Sequence, residues 1–175
     1  MLDLKRFIRD VPDFPKPGIL FRDITPILRD PKAFAHVENC FVSEFARDRV
    51  TAVGGIESRG FLFGVGLAQR LQVGFFPVRK AGKLPGETVS ERYALEYGEA
   101  EVEIQKDALS PSDRVILVDD LLATGGTAAA AVALAKRAGA TVVGIAFVIE
   151  LAFLGGRKKL EGERLVSLVT YESAS

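Results

Sequence analysis

The chain has 175 residues, of which 48% are hydrophobic, so it is long and apolar enough to bury one sizeable core and is not expected to be disordered. Its 23 basic and 23 acidic side chains give a net charge of zero, which argues against a broad surface for nucleic acid or for an anionic membrane. Cys40 is the only cysteine, which excludes an intrachain disulfide and a zinc site built from cysteines.

Prolines are concentrated near the N-terminus. Four of them fall within residues 11–26 (VPDFPKPGILFRDITP), and because proline fixes the backbone and lacks an N–H group, a stiff, irregular segment is predicted there. Helices are predicted over residues 4–10, 31–48 and 60–71, and strands over residues 51–56 and 74–78. On the second helix we interpret His36 as a surface residue rather than a catalyst, and Cys40 as a small hydrophobe rather than a reactive thiol.

The C-terminal part of the chain alternates strands with a helix. Strands are predicted over residues 93–97, 99–105, 115–118, 142–149 and 165–170, and a helix over residues 126–138. The first two strands are apolar at every second position, as half-buried antiparallel strands are, whereas residues 115–118 and 142–149 are apolar throughout, as in a parallel sheet covered on both faces. The most apolar window, residues 141–156, is interrupted by Glu150 and is too short to span a bilayer, so we expect a cytoplasmic protein.

Polar side chains follow three of the predicted parallel strands. They are Glu57-Ser58-Arg59, Arg79-Lys80 and Asp119-Asp120. Because ligands of open α/β sheets bind beyond the carboxyl ends of the strands, these three groups predict a binding site at one edge of the sheet.

A loop between a strand and a helix has the composition of an anion site. Its residues are Ala123, Thr124, Gly125, Gly126 and Thr127. Glycines let backbone N–H groups converge, the helix N-terminus adds partial positive charge, and the threonines add hydroxyl donors, which together suit a phosphate. An ordinary strand–helix turn capped by threonine is the alternative. The loop carries no Walker A lysine and no GxGxxG pattern, so other parts of such a ligand must be held elsewhere.

Asp119 and Asp120 could hold those other parts. Carboxylates accept hydrogen bonds from vicinal hydroxyls, so a ribose 5-phosphate could place its phosphate on the loop and its hydroxyls on the acid pair. The pair would also favour Mg²⁺ and a positively charged sugar carbon. A solvent-exposed pair at the end of a strand is the alternative.

The segment VILVDDLLATGGT (115–127) resembles the phosphoribosyl-pyrophosphate (PRPP) motif of type I phosphoribosyltransferases. The remaining similarity, over residues 10–172, is to the adenine phosphoribosyltransferases and is carried by FPKPGILFRDITP (14–26), ESRGFLFG (57–64), RKAGKLPGET (79–88), YALEYG (93–98) and EIQKDAL (103–109). The resemblance implies an α/β fold of the type I class, with one domain over residues 1–175 and a largely parallel sheet flanked by helices. It also implies a small N-terminal hood at about residues 10–28 and a β-hairpin lid at about residues 80–100.

The implied reaction is purine salvage, in which adenine and PRPP give AMP and pyrophosphate with Mg²⁺ as cofactor. Residues 123–127 would hold the 5-phosphate, and Asp119 and Asp120 the ribose hydroxyls. The residues implied for pyrophosphate are Glu57, Ser58, Arg59, Lys80 and Lys83, with a non-proline cis peptide at Glu57–Ser58. Arg79 is implied to reach the neighbouring subunit's site, so the chain would form a homodimer.

The resemblance also implies which residues would bind adenine and which residue would accept its proton. Leu20 and Arg22 would meet adenine through backbone groups, and Phe21 and Leu121 would enclose its ring. Glu96 would be the general acid/base that manages the N7 proton. The plainer alternatives are that Phe21 belongs to the core, that Glu96 faces solvent from a strand, and that the lid is a simple hairpin.

Two other functions are compatible with a PRPP-binding fold. One is a transcriptional regulator that uses the fold as a sensor, but such proteins usually add a DNA-binding module and a basic surface, which this neutral chain lacks. The other is a phosphoribosyltransferase for another base such as xanthine, which the similarity of residues 14–26 and 93–98 disfavours.

Overall fold

Strands and helices alternate along most of the chain in the computed structural model, which describes residues 2–94 and 98–174. The strands are β1 (Arg9–Pro12), β2 (Leu20–Asp23), β3 (Ala52–Ile56), β4 (Gly74–Lys80), β5 (Thr88–Ala94), β6 (Glu99–Gln105), β7 (Arg114–Leu122), β8 (Thr141–Leu151) and β9 (Leu165–Tyr171). The helices are α1 (Thr25–Arg29), α2 (Pro31–Phe45), α3 (Gly60–Leu71) and α4 (Gly126–Arg137), with short 3-10 turns at Leu4–Phe7, Ala152–Leu154 and Gly156–Leu160. In the described part of the chain, no helix is long and apolar enough to cross a membrane.

The main sheet has the order β5-β6-β4-β3-β7-β8-β9 within the described residues. Strands β4, β3, β7, β8 and β9 are parallel, β6 pairs antiparallel with β4, and β5 pairs antiparallel with β6 at the edge of the sheet. One buried cluster packs under α4 and another under α2 and α3, so the parallel strands are covered on both faces. The predicted largely parallel sheet flanked by helices is confirmed, and the carboxyl ends of β3, β4 and β7 lie at one edge.

Helix α2 illustrates how local sequence sets these elements. The Asp30 carboxylate accepts hydrogen bonds from the backbone N–H groups of Lys32 and Ala33, both at 2.9 Å, and Pro31 occupies the first helical position. The buried stripe of the helix includes Val37 and Phe41. The helix therefore begins where the sequence predicts, but it ends at Phe45, before the predicted boundary.

The proline-rich segment is more regular than its composition predicts. Strands β1 and β2 pair as an antiparallel hairpin, and α1 begins with Pro26 in its first turn. Arg9 Nη2 lies 2.6 Å from Asp23 Oδ2, and Arg22 Nη1 lies 2.5 Å from Asp10 Oδ1, so each strand carries one partner of each ion pair. These cross-strand pairs explain why the predicted irregular segment forms a hairpin, which we call the hood (β1 and β2).

The β5–β6 hairpin starts earlier than the period-two pattern predicts. Strand β5 spans Thr88–Ala94, so it begins before the predicted start at residue 93, and residues 95–97 of the predicted strand lie outside the described residues. Polar side chains are accommodated by cross-strand pairs, since Ser90 Oγ donates to Glu101 Oε1 and Arg92 Nε lies 3.5 Å from Glu101 Oε2.

Candidate active site

The three polar groups at the strand ends meet in one cleft. Its volume is about 390 Å³, and it is lined by Glu57, Ser58, Arg59, Lys80, Asp119, Asp120 and Leu121. A smaller cavity of about 80 Å³ adjoins it, lined by residues 121–128 together with Asp119 and Phe147. Asp119 and Leu121 line both spaces, so the acid pair lies between the loop and the cationic side of the cleft, as the sequence predicts.

The loop of residues 123–127 is held open at the start of α4. Gly125 has φ +77°, which favours glycine, and a Cβ there would overlap the carbonyl oxygen of Gly156. Gly156 is constrained in return, because a Cβ on it would overlap the carbonyl oxygen of Ala123. The loop is thus packed against the turn at residues 155–156, and its last two residues, Gly126 and Thr127, begin the first turn of α4, whose N–H groups have no acceptor within the helix.

Asp120 is buried and Asp119 is half-buried, and their surroundings shift the pKa of each carboxyl group. Asp119 Oδ1 accepts a hydrogen bond from the backbone N–H of Asp120 at 2.9 Å. Burial raises the pKa of Asp119 well above its ordinary value, and repulsion from Asp120 raises it further. Burial also raises the pKa of Asp120, while the charge of Arg59 acts in the opposite direction. The pair therefore favours any bound positive charge.

Arg59 is the cation closest to this pair. Its Nε lies 2.8 Å from Asp120 Oδ2, and its guanidinium lies 5.2 Å from the centre of the Phe21 ring. The next residue, Gly60, begins α3 against β7, because a Cβ on it would lie 2.6 Å from the carbonyl oxygen of Val118. This close packing places Arg59 directly beside the acid pair.

Glu57 organises the cationic side of the cleft. Its carboxylate accepts hydrogen bonds from Arg79 Nε (3.2 Å), from Arg79 Nη2 (3.3 Å) and from the backbone N–H of Lys80 (3.1 Å). Burial alone would raise the pKa of Glu57, but these hydrogen bonds bring it below its ordinary value. Glu57 therefore holds the end of β4 in place with its side chain. The predicted cis peptide at Glu57–Ser58 is confirmed.

Arg79 and Lys83, the other two cations that the resemblance implies for the site, are not among the described residues that line the cleft. Arg79 is paired with Glu57 of its own chain and also donates to the carbonyl oxygen of Lys83 at 2.9 Å. The side chain of Lys83 is exposed. Among the described residues, the cleft is lined by Lys80 but not by Lys83.

Glu103 was not predicted to contribute, yet it shapes the connection after β4. This buried carboxylate accepts hydrogen bonds from the backbone N–H groups of Lys83 (3.1 Å) and Leu84 (3.0 Å) and from Thr88 Oγ1 (3.1 Å). Burial would raise the pKa of Glu103, but the backbone hydrogen bonds lower it below its ordinary value. The alternation of residues 99–105 gives no signal for this role, because it places Glu103 on the polar face of the strand with Glu99 and Glu101, and only the assembled fold shows that Glu103 is buried.

The hood brings an aromatic ring to the cleft. Phe21 packs edge-on against Phe14 with ring centres 5.1 Å apart, and it is half-buried rather than part of the core. Arg22 is buried on the other side of β2, where its guanidinium lies 3.9 Å from the centre of the Tyr171 ring. Leu20 is half-buried at the start of the same strand. The side chains of Phe21 and Arg22 thus point in opposite directions, which leaves Arg22 only its backbone to offer a base. Glu96 lies outside the described residues.

Comparisons with known proteins agree with this geometry. The phosphoribosyl transferase domain model matches residues 24–167. The adenine phosphoribosyltransferase of Carboxydothermus hydrogenoformans is 55% identical over 170 residues, which covers 97% of this chain and 100% of that protein. The crystal structure of adenine phosphoribosyltransferase from Thermoanaerobacter pseudethanolicus superposes with a TM-score of 0.93 at 50% identity and covers 96% of this chain and 98% of that one. The Saccharomyces cerevisiae enzyme, complexed with an imino-altritol bisphosphate and adenine, gives a TM-score of 0.90 at 46% identity, with 94% and 96% coverage.

Proposed function

The chain belongs to the phosphoribosyltransferase family and, within it, to the adenine phosphoribosyltransferases, and from this premise we propose how its side chains carry out the reaction. It is a purine salvage enzyme that transfers the phosphoribosyl group of PRPP to adenine and releases AMP and pyrophosphate. This assignment replaces the two alternatives considered from the sequence, the regulator and the enzyme for another base. The roles of individual residues are our proposal, and the observation that carries it is the position of Asp119 and Asp120 between the phosphate loop and the cationic cleft.

PRPP would lie across the two adjoining cavities. Its 5-phosphate binds the backbone N–H groups and hydroxyls of residues 123–127 at the N-terminus of α4. Its ribose hydroxyls donate to Asp119 and Asp120, and its pyrophosphate meets Arg59, Lys80 and the backbone around Ser58. Each anionic end of PRPP therefore has its own donors, and the carboxylates contact only the uncharged middle.

The chemical step exchanges one bond at C1 of ribose for another. The bond from C1 to the pyrophosphate oxygen breaks, and its electron pair leaves with pyrophosphate, so positive charge develops on the sugar. The carboxylates of Asp119 and Asp120 stabilise this charge, since both are largely desolvated and water screens their field little. N9 of adenine then donates its lone pair to C1, and Glu96 accepts the N7 proton.

Adenine would be recognised by the hood. Phe21 and Leu121 enclose the ring, and backbone C=O and N–H groups of Leu20 and Arg22 pair with the 6-amino group and the adjacent ring nitrogen. A 6-oxopurine would set acceptor against acceptor and leave buried polar groups unpaired, which costs orders of magnitude in rate. The ion pair of Arg22 with Asp10 keeps the guanidinium away from the base.

Mg²⁺ is the proposed cofactor, and the residues of the cleft fit it. Within the described residues there is no group of three or more side chains that could hold a metal ion by themselves. Two carboxylates beside a diphosphate suit Mg²⁺, which keeps several waters and binds through phosphate oxygens. We therefore expect Asp119 and Asp120 to lie near such an ion, which would neutralise charge on the leaving pyrophosphate.

Three further proposals come from the sequence. A homodimer would place Arg79 beside the neighbouring subunit's site once it leaves Glu57 of its own chain. Residues at about 80–100 would close over the site as a lid, for which the anchoring of residues 83 and 84 by Glu103 provides a fixed base. A cytoplasmic location also remains a prediction.

The assay that tests the function supplies PRPP and Mg²⁺ with adenine, hypoxanthine, guanine or xanthine in turn and measures release of pyrophosphate. We expect release with adenine at least about 10²-fold faster than with any of the 6-oxopurines. Comparable rates with hypoxanthine or guanine would contradict recognition of the base by the hood.

A further inference from the structure

Strand β5 is attached to the C-terminal end of helix α4. Arg137 Nη1 donates to the carbonyl oxygen of Ser90 at 2.8 Å, and Arg137 Nη2 forms an ion pair with Glu91. These contacts lie at the opposite end of α4 from the phosphate loop, whose last two residues, Gly126 and Thr127, begin the helix.

The same strand is attached a second time at the N-terminal end of α4. Thr127 Oγ1 lies 2.9 Å from the Tyr93 hydroxyl and donates to it. The Tyr93 ring lies against the backbone of Gly126, because a Cβ on Gly126 would be 2.9 Å from Tyr93 Cδ2. Tyr93 is half-buried and packs on the core cluster under α4, so its position is determined by more than this one hydrogen bond. Tyr93 thus touches two residues of the proposed phosphate loop, although it belongs to a different element.

We propose that Tyr93 is a positioning residue for the 5-phosphate of PRPP, acting through the hydroxyl of Thr127. This inference rests on the proposed binding of phosphate by residues 123–127. A threonine hydroxyl has one proton to donate and two lone pairs to accept with. When a phosphate oxygen accepts a hydrogen bond from the Thr127 hydroxyl, the Tyr93 O–H can turn and donate a hydrogen bond to the oxygen of Thr127.

The result is a chain of hydrogen bonds from Tyr93 through Thr127 to the phosphate. Hydrogen bonds in such a chain polarise one another, so Thr127 becomes a stronger donor to the anion than it would be alone. The ring of Tyr93 also packs against the backbone of Gly126, the first residue of α4. The pyrophosphate end of PRPP, at Arg59 and Lys80, has no part in this chain of contacts.

The variant Tyr93→Phe tests the proposal, because it keeps the ring against Gly126 and removes only the hydroxyl. We expect the KM for PRPP in the forward reaction, and the KM for AMP in the reverse reaction, to rise about 3- to 10-fold. The KM for pyrophosphate in the reverse reaction and the KM for adenine should stay within about 2-fold of their original values. A general loosening of the site would raise all four, and that pattern would contradict a specific role in phosphate binding.

A double-mutant cycle with Thr127→Ala separates the relay from independent effects. Because Tyr93 acts through Thr127, we expect Tyr93→Phe to have no further effect on the KM for AMP in the Thr127→Ala background. Additive effects of the two substitutions on the KM for AMP would overturn the proposal. A Tyr93→Phe variant that merely weakened the fold would give such additive effects.

Arg137→Gln is the matched control, since it removes the other attachment of β5 to α4. It should leave the KM for AMP unchanged, and a rise equal to that of Tyr93→Phe would assign the effect to docking of the strand instead of to the hydroxyl.

The outcome for Tyr93 is distinguishable from failure of the proposed phosphate site. If Thr127→Ala itself leaves the KM for AMP unchanged, the phosphate assignment is wrong, whereas an effect of Thr127→Ala without one of Tyr93→Phe refutes the role of Tyr93 alone.

Discussion

Arg59 Nε lies 2.8 Å from Asp120 Oδ2, so a cation proposed to bind pyrophosphate is paired with a carboxylate proposed to bind ribose. The side chain of Asp120 is almost fully buried, whereas that of Arg59 is 37% exposed, so Arg59 is the partner with room to move. PRPP offers a new anion to Arg59 and new donors to Asp120. Binding of PRPP can therefore exchange this pair for two contacts with substrate without leaving either charge buried and unpaired.

Replacing Arg59 should affect both partners of this exchange. We expect Arg59→Gln to lower kcat/KM for PRPP by about 10²-fold, since it removes a buried-site cation from the pyrophosphate. It should also move the acidic limb of the pH profile to higher pH, because the charge of Arg59 lowers the pKa of Asp120 against the effect of burial. The measurement is kcat/KM between pH 5 and 8, with Arg92→Gln on the exposed face of β5 as the control. An unchanged acidic limb would argue against electrostatic coupling between Arg59 and Asp120.

The acid pair itself should be essential for turnover and costly for stability. The double variant Asp119→Asn, Asp120→Asn should lower kcat by about 10²–10³-fold, because the charge that stabilises the sugar cation is lost. Its melting temperature should be equal or higher, since burial disfavours the charged forms of both carboxylates. Steady-state kinetics and a thermal melt would check this, with the exposed Asp107→Asn as control. Near-normal turnover in the double variant would refute the proposed role.

Glu96 is expected to act in the chemical step. Glu96→Gln should lower kcat by about 10²–10⁴-fold, because the amide cannot accept the N7 proton of adenine. The KM for PRPP should change much less. Glu99→Gln, at the exposed start of β6, is the control for loss of a nearby negative charge. A rise in KM with kcat preserved would show that Glu96 only helps to bind substrate.

Gly125 should be intolerant of any side chain for two separable reasons. Gly125→Ala must place a Cβ at φ +77° and against the carbonyl oxygen of Gly156. Gly162→Ala is a matched control, since Gly162 has φ +87° but no atom within 4 Å of the added Cβ. We expect the control to lose about 1–2 kcal/mol in the free energy of unfolding, and Gly125→Ala to lose more and to bind ribose 5-phosphate at least about 10-fold more weakly. Equal losses of stability and unchanged ribose 5-phosphate binding would mean that the close packing of the loop is unimportant.

Glu38 predicts an unusual dependence of stability on pH. Burial raises its pKa to about 8, with Arg70 acting in the opposite direction, and neither carboxylate oxygen has a hydrogen-bond partner among the described residues. The unfolded chain releases this proton near pH 4.5 and the folded protein near pH 8, so the free energy of unfolding should fall as the pH rises between these values.

The variant Glu38→Gln should remove this contribution. We expect it to be more stable than the original protein at pH 8.5 by about 1–3 kcal/mol and close to it at pH 5. Urea unfolding at the two pH values measures the difference, and the exposed Glu161→Gln should change neither. A Glu38→Gln variant that is less stable at pH 8.5 would show that the ionised carboxylate has a stabilising partner.

Much of the site could be predicted from the sequence because its residues are adjacent in the chain. Asp119, Asp120 and residues 123–127 follow one buried strand, and the alternation of strands and helices places the ends of β3 and β4 beside it. A residue that directly follows a predicted parallel strand can therefore be assigned to the carboxyl edge of the sheet from the sequence alone. The family resemblance added the cis peptide at Glu57–Ser58, which no local pattern predicts.

What could not be predicted depends on contacts between distant parts of the chain. The pairing of Arg22 with Asp10 and Tyr171 turns a proline-rich segment into a hairpin, and neither partner is marked by composition. The hydrogen bond between Tyr93 and Thr127 joins two elements whose separate patterns indicate only a strand and a helix. Propensity and periodicity describe single elements, so side-chain contacts between elements emerge only from the assembled fold.

The contact of Arg22 with Tyr171 joins the second strand of the chain to the last one. During synthesis on the ribosome, the phosphate loop, the acid pair and their supporting strands are all complete before β9 has left the exit tunnel. A nascent chain therefore cannot yet anchor its hood against Tyr171. The hood, which we propose selects adenine, is thus encoded almost first and anchored last, and shortening the C-terminus into β9 should impair discrimination between bases before it impairs binding of PRPP.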